Sequence, residues 1–561
     1  MQLFHPRSFN RPDLDPATQA LMRKTIAFFE TRGHAKLRED FHAKRWYEEF
    51  LAFVREEKIF ATLLTPAAHG GPEARWDTWR NCQFNEILAY YGLEYWYTWQ
   101  VSILGLGPLW MSQNPAITRR AADLLSKGGI FAFGLSEKEH GADIYSTDMI
   151  LTPQPDGTFK ANGRKYYIGN GNKAAIVSVF GKIADSGEYV FFAADSQHPS
   201  YRLIKNVIVS QSFVAELELK DYPVKSEDLI AQGPPAWDST LNTVNIGKYN
   251  LGWCSIGLCT HAFYEAIGHA SRRHLYGKAV TDFPHVRQLM VDAYSRLIAM
   301  KAFSERAADY MRSASPEDRR YLLYNPVVKM KVTLEGESVI NALWDVIAAK
   351  GFEKDMFFQE ATSAIRALPK LEGTVHVNIA LIVKFMTNYF FKPREYPPVG
   401  RRSDATNDSF LFDQGSTKGL SIIQFHDYRL AFTGFGSPNV VIFEEQVAAL
   451  RAFLTEAPPS SAQREDIDFL LTVGQLFTQV VYAQLILEQA KLVQLSGDMV
   501  EQIFDFMVRD MSHLATTLYT KTNTIPEQQA HCLKIIKRPA HDASRYDRVW
   551  SDHVYVHRDA L

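Results

Sequence analysis

The pattern of apolar and polar positions divides the chain into unlike stretches. From about Pro16 to Ser126, apolar residues recur at helical spacing. Ala17–Glu30 is periodic, with Leu21, Ile26 and Phe29 apolar, Trp46–Val54 is amphipathic, and Glu86–Trp99 is rich in aromatics (Tyr90, Tyr91, Tyr95, Trp96, Tyr97, Trp99). Such density predicts core packing, with aromatic pocket walls as the functional reading of the same residues. From Phe131 to about Val244 the period falls to two. Val177–Val179, Tyr189–Ala193 and Phe213–Leu219 alternate or run apolar in short bursts. Asp156-Gly157, between Ile150–Thr152 and Thr158–Lys160, predicts a hairpin. From about Asn245 the helical period returns. Val286, Met290, Ala293, Leu297 and Met300 repeat with 4-3-4-3 spacing, which predicts a long bundle helix with a narrow apolar seam. Pro326–Lys350 reads as a second helix, opened by Pro and closed by Gly351, and a third follows Thr374. Phe391 to about Asn439 is rich in Pro, Gly and Asp and reads as a linker or surface excursion. Val440–Leu454, Ile467–Leu495, Met499–Thr520 and Glu527–Ile536 then predict a further helical unit.

The expected fold is α+β, mostly α. It comprises a helical N-terminal domain (1–129), a central β-barrel domain (130–244), a helical bundle (245–390), a linker or excursion (391–439) and an extra C-terminal helical domain (440–561).

Composition narrows the function classes. With 561 residues, 46% hydrophobic and 22% charged, the chain has the make-up of a multi-domain globular protein. A net charge of −2 argues against a general nucleic-acid surface but leaves room for local basic clusters that receive phosphates. Cys82, Cys254, Cys259 and Cys532 are scattered and form no CxxC pair, so neither a zinc site nor a disulfide framework is expected. A reducing, cytoplasmic setting fits, and the opening MQLFHPRSFNRPDLD lacks the apolar core of a secretory signal. Leu470–Leu487 carries no formal charge and is long enough to suggest a membrane span. Gln475, Gln479 and Gln484 interrupt it, and unpaired amides are costly in lipid, so a buried bundle helix is expected instead. His553-x-x-x-His557 has helical metal spacing but reads as a solvated tail, and no metal is expected.

Three short motifs carry the chemistry. In FGLSEKEHGAD, a strand arrives at a loop bearing Ser136, Glu137, Gly141 and Asp143; the aromatic strand KYYIGN follows (Lys165–Asn170). Together they suit one face of a small barrel that holds a flat, polar-edged ligand. Arg273 in RHLYG is a natural phosphate ligand, because its planar fork matches phosphate oxygens; in isolation it reads as a surface Arg at a helix end. Glu372 in Leu371-Glu372-Gly373-Thr374 lies between helices, where a carboxylate projecting into a cavity becomes a general base if burial raises its pKa; alone, a Glu-Gly pair marks a helix boundary.

Taken in order, these motifs resemble those of the acyl-CoA dehydrogenase family, over roughly Pro16 to Lys384. FGLSEKEHGAD is similar to that family's strand-end loop, usually Thr-Glu-Pro followed by Ala-Gly-Ser-Asp. KYYIGN is similar to its flavin strand, usually Trp-Ile-Thr-Asn; Arg273-x-x-Tyr276-Gly277 to its Arg-x-x-Phe-Gly; and Leu371–Thr374 to its Tyr-Glu-Gly-Thr. The resemblance implies FAD as cofactor, an acyl-CoA substrate, and Glu372 as the base that removes the α-proton while the β-hydrogen leaves as hydride. It implies cofactor contacts from Leu135, Ser136, Tyr167, Ile168, Gly169, Arg273, Tyr276, Lys350, Gly351 and Thr374, and substrate contacts from Ala142 and Gly373. It also implies an electron-transfer flavoprotein as electron acceptor, a place in fatty-acid β-oxidation, and a homodimer whose Arg273 reaches the partner's FAD. The residues beyond the bundle resemble the extra helical region of larger members. Gly169 departs from the pattern: a Thr commonly stands there, and its hydroxyl is missing. Asp345, Ala348 and Ala349 likewise replace the Gln and paired Gly of relatives, which removes any expectation of adenine contacts beyond Lys350–Phe352. The alternatives are an acyl-CoA oxidase using O2, a dehydrogenase of a carrier-bound acyl group, and a non-catalytic helical scaffold.

Overall fold

The computed structural model describes residues 1–561. Two helices, Thr78–Tyr91 and Leu93–Met111, form the inner layer of the N-terminal region. The aromatic stretch Glu86–Trp99 spans both helices and is broken at Gly92, whose N–H closes the first helix on the Leu88 carbonyl. Every residue of Thr78–Tyr91 is buried, so this helix is enclosed on all sides rather than on one stripe.

Eight strands follow: β1 (Phe131–Gly134), β2 (Ile150–Pro153), β3 (Phe159–Gly169), β4 (Ile176–Ile183), β5 (Tyr189–Ala194), β6 (Tyr201–Asn206), β7 (Val214–Val224) and β8 (Leu229–Gln232). They pair in the order β6-β7-β3-β2-β4-β5-β8, with β1 added parallel to β4. The sheet wraps a small core of its own, including Leu151, Val179, Phe192 and Leu217. β6 and β8 stand at the ends of the pairing order, so the barrel is an open one. The expected Asp156-Gly157 hairpin joins β2 to β3. β3 and β7 lose register between Lys165 and Ile168, a bulge that takes Tyr167 to φ +65° and leaves it 44% exposed. A bulge of this kind re-aims one side chain out of the sheet.

The bundle opens earlier than the periodicity suggests. One helix runs from Pro234 to Arg272, eleven residues ahead of Asn245, because Pro-Pro at its first turn is a helix start rather than a loop. At 39 residues it spans about 58 Å. Pro284–Arg312 forms as expected, but its seam is not narrow: from Ala293 onward every residue is buried. The C-terminal helices cover its outer face, and the charges there are paired. Arg296 binds Glu335 (2.7 Å) and Asp510 (2.8 Å), and Arg306 binds Glu488 (2.8 Å). Pro326 does not open a helix; it lies inside Tyr321–Val327, and a π-turn, Val328–Val332, leads into Thr333–Ile347. A mid-helix Pro removes an N–H and crowds the preceding turn, and π-turns of this kind often sit at functional positions.

The segment 391–439 is a packed excursion, not a free linker. Leu411 and Phe425 are buried, Asp408 accepts from the Thr78 N–H (2.7 Å), and Arg306 donates to the Val399 carbonyl (2.8 Å). Pro438–Glu456, Ile467–Val493, Gly497–Tyr519 and Pro526–Ile535 then form the C-terminal unit. Ile467–Val493 is long and apolar enough to cross a membrane, and 83% of its most apolar window is buried inside the protein. The His553/His557 spacing falls on an irregular turn, with His557 against Phe263, Tyr264 and Tyr294.

Candidate active site

The site lies where the end of β3, the Leu93–Met111 helix, the long Pro234–Arg272 helix and the Leu371–Thr374 corner meet. Asn170 ties the first two together. Fully buried, it accepts from the Thr98 hydroxyl (3.0 Å) and donates to the carbonyls of Thr98 (3.0 Å) and Phe131 (3.0 Å). The loop after β1 is pinned by an ion pair between buried Glu137 and Lys165 (2.6 Å), with Lys165 also donating to the Leu135 carbonyl (3.0 Å). Burial opposes the charge on Glu137, but Lys165 and the donors around it hold the carboxyl below its usual range. Ser136 donates its hydroxyl to the Tyr166 carbonyl (2.8 Å) and accepts from the Tyr166 N–H through its own carbonyl (3.0 Å). Its oxygen remains available as an acceptor.

Ile168 points into the barrel core, whereas Gly169 faces the helix. A Cβ at Gly169 would stand 2.6 Å from Val101 Cγ1 and 2.9 Å from Tyr97 Oη, so only glycine permits this approach. The Tyr97 hydroxyl thus occupies the place next to the strand that a side chain at 169 would fill.

Glu372 is set by its backbone. It has φ +52° and Gly373 has φ +88°, two successive left-handed residues that turn the chain sharply between helices. For a non-glycine residue that conformation is strained and persists only where the surroundings enforce it. Lys329, on the π-turn, supplies part of the enforcement: its fully buried ammonium donates to the carbonyls of Pro369 (2.7 Å) and Gly373. Asn378 adds bonds to the carbonyls of Gly373 (3.0 Å) and Thr374 (2.9 Å), and the Thr374 hydroxyl caps the helix that follows. Glu372 Oε1 accepts from Gln100 Nε2 (2.6 Å), while Oε2 is sealed from solvent and has no partner. Burial pushes the carboxyl up to about 7, although the Gln100 N–H and the positive charges of Lys329 and Lys248 pull it the other way. Burial lowers both lysines, Lys329 to about 7 and Lys248 to about 8. On the long helix, a Cβ at Gly247 would come 2.9 Å from Glu372 Oε2, so the absence of a side chain there makes room for the carboxylate.

The sequence-predicted residues fall into two groups. Ser136, Tyr167, Gly169, Glu372, Gly373 and Thr374 belong to the seam just described, Leu135 joins it through the carbonyl that binds Lys165, the Ile168 side chain turns into the barrel core, and Ala142 lies exposed on its loop. Arg273, Tyr276, Lys350 and Gly351 do not join them. Arg273 follows Gly247 by 26 residues of one continuous helix, about 39 Å. It begins an exposed hairpin whose tip, Tyr276, is 93% exposed at φ +53°. Lys350 pairs with Glu353 (2.6 Å), and Gly351 is buried near Trp344. A cleft of about 340 Å³ opens at this far end, lined by Arg7, His34, His269, Arg272 and Lys350 among others, well away from Glu372. The sequence reading missed Gln100, Lys329 and Lys248, and gave Asn170 and Tyr97 no individual role. The one available signal was a lone amide or lysine within an apolar run, as in TWQVSIL and PVVKMKV.

Residues 237–387 match the family model described as acyl-CoA dehydrogenase, C-terminal domain. A probable short/branched chain specific acyl-CoA dehydrogenase of Dictyostelium discoideum is 22% identical over 275 residues, covering 48% of this chain and 66% of that protein. A short-chain specific acyl-CoA dehydrogenase of Megasphaera elsdenii is 24% identical over 216 residues, covering 37% and 56%. The chain therefore spans less than two thirds of the length of these curated relatives. An acyl-CoA dehydrogenase from Bacillus anthracis, solved as a complex with FAD, superposes with a TM-score of 0.76 over 99% of this chain and 97% of that one, at 14% identity. The superposition shows the fold of that acyl-CoA dehydrogenase, and the family match shows a segment similar to the acyl-CoA dehydrogenase C-terminal domain. Further helices follow the matched segment.

Proposed function

We propose that this chain is an FAD-dependent acyl-CoA dehydrogenase that converts an acyl-CoA thioester to the trans-2-enoyl-CoA, with Glu372 as the base. The observation that carries the reading is the Glu372 carboxyl: enclosed, pushed up to about 7, and holding one unpartnered oxygen at the seam between barrel and bundle. A base poised near neutral pH combines a useful ionised fraction with proton-accepting strength. The residues around it fit a flavin. The β3 bulge presents Tyr167 outward, Ser136 keeps an acceptor oxygen, and Gly169 adds no bulk to the strand end. Leu135, Ser136, Tyr167, Ile168, Gly169 and Thr374 would hold the ring end, and Ala142 and Gly373 would meet the thioester. When bound, FAD supplies the two-electron acceptor that takes the β-hydrogen as hydride. Glu372 Oε2 takes the α-proton, and Lys329 and Asn378 hold the corner that aims it. The experiment is anaerobic titration of the purified holoprotein with a panel of acyl-CoA thioesters. Bleaching of the flavin band by at least one of them is expected; a colourless protein, or a flavin that no thioester reduces, would overturn the reading.

The distance between the two residue groups supports a homodimer, in which Arg273, Tyr276, Lys350 and Gly351 of one protomer serve the FAD of its partner. Arg273→Ala is expected to weaken FAD retention about 10–100-fold, the worth of a charge-assisted bond to phosphate. Flavin content after dialysis measures it, and unchanged content would refute the assignment. An electron-transfer flavoprotein is the electron acceptor in this reading, with fatty-acid β-oxidation as the setting; O2 consumption with peroxide formation would identify an oxidase instead. Four buried, unpaired cysteines support a reducing, cytoplasmic location.

A further inference from the structure

A series of buried polar side chains runs from Glu372 into the helical core. The indole N–H groups of Trp96 and Trp99 both donate to Asn85 Oδ1 (2.7 and 3.1 Å). Asn85 Nδ2 donates to the Asn81 carbonyl (2.7 Å) and to Asn250 Oδ1 (2.8 Å). Asn250 Nδ2 donates to Gln100 Oε1 (2.8 Å), and Gln100 Nε2 donates to the Gly247 carbonyl (3.1 Å) and to Glu372 Oε1 (2.6 Å). Trp96, Trp99, Asn85 and Asn250 are fully buried and Gln100 is 1% exposed.

The direction of this series is dictated at its origin. An indole N–H can only donate, so the oxygen of Asn85 must face the two tryptophans. Its NH2 must then face Asn250, whose oxygen must face Asn85, and so on to Gln100. No amide can flip without placing two acceptors or two donors against each other in a site that excludes water, where an unmet polar group is costly. The series ends with an N–H on one carboxylate oxygen of Glu372 and nothing on the other.

We propose that Gln100 is a positioning residue for Glu372, and that the Trp96/Trp99–Asn85–Asn250 series fixes its orientation so that Oε1 always receives an N–H and Oε2 alone is left to take a proton. The inference rests on the reading of Glu372 as the base. Three other polar or charged groups face this carboxylate: Lys329 from the π-turn, Lys248 from the long helix and Tyr97 from the Leu93–Met111 helix. None belongs to the series, so changes within it leave those groups in place.

Asn250→Asp in the holoenzyme tests the inference. An Asp carboxylate at 250 cannot donate to Gln100 Oε1, so Gln100 turns over, giving up its bond to the Gly247 carbonyl for one to the new carboxylate, and presents its oxygen to Glu372, which favours the protonated carboxyl. The pH profile of kcat/KM is expected to move up by about 1–2 units, the range of one hydrogen bond to a charged group. At pH 7 that appears as a loss of about tenfold or more that is recovered at higher pH. Asn85→Asp, one step further from Glu372, is expected to shift the profile the same way and serves if the first variant does not fold. Infrared titration of the Glu372 carboxyl, assigned by its absence in Glu372→Gln, reads ionisation without turnover. If the infrared pKa and the rate profile both stay put, the positioning role is wrong. If the infrared pKa moves while the rate profile does not, the positioning stands and the assignment of Glu372 as the base is what fails.

Discussion

Replacing Glu372 with Gln is expected to leave FAD bound and to slow substrate-driven flavin reduction by about 10²–10⁴-fold, the usual worth of a positioned general base. The same change is expected to stabilise the fold at alkaline pH. The carboxyl rises from its ordinary 4.5 to about 7, chiefly through burial. Below about pH 4.5 it is protonated in both folded and unfolded chains and has no effect on stability. As pH rises from 4.5 through 7 the unfolded chain ionises first, so the folded state loses stability, to a limit of about 3 kcal/mol above pH 7. Gln never ionises, and its carbonyl still accepts from Gln100. Its thermal midpoint is therefore expected to exceed that of the parent at pH 8 and to converge with it near pH 4. Thermal unfolding of both proteins across this range, together with stopped-flow flavin reduction, checks the two halves. A variant that reduces its flavin at the parent rate would exclude Glu372 as the base. A variant less stable at pH 8 would show that the carboxylate is not in an unfavourable setting.

Lys329→Met carries the second large effect. The side chain keeps its length but loses the ammonium that binds the Pro369 and Gly373 carbonyls. The Pro369 carbonyl then goes unmet, at about 1–3 kcal/mol, and the Gly373 carbonyl keeps only Asn378; the loss is partly offset because a desolvated cation is no longer buried. Lys329 is also one of the charges that keep Glu372 ionised. Its removal is expected to raise the pKa of that carboxyl, so the alkaline rise in kcat/KM moves to higher pH by about one unit. A strained left-handed Glu372 freed from its clamp also has more conformations available, and kcat is expected to fall even at the new optimum. Calorimetry and the pH–rate profile separate these contributions. If the profile does not move, Lys329 acts on the corner's backbone alone.

Legibility in the sequence followed the range of the interactions. The β2–β3 hairpin was readable because Asp156-Gly157 supplies its own turn chemistry. The four C-terminal helices were readable because each repeats its apolar period over several turns. The helical start at Pro234 and the π-turn after Pro326 depart from the reading, and the break at Gly92 lies outside it, because in each the local signal of Gly or Pro admits more than one outcome and packing decides. For the segment 391–439 the sequence leaves linker and surface excursion open, because a Pro- and Asp-rich composition describes the absence of helix, not the absence of contacts; the structure has an excursion with Asp408 and Leu411 among its buried anchors. In the site, Glu372 was visible only through a resemblance of short motifs. Gln100 carries only the weak mark of a lone amide in an apolar run, since its partner lies 272 residues away. Asn170 looked like a turn residue, while its contacts to Thr98 span 72 residues.

The ion pairs along the outer side of Pro284–Arg312 mean that the last third of this chain is no detachable appendage. A version shortened near residue 390 would lose Asp510 opposite Arg296 and Glu488 opposite Arg306, exposing two arginines on a helix whose neighbouring surface is built to be dry. Evolution toward a compact relative would have to rewrite that helix at the same time as it discarded the tail.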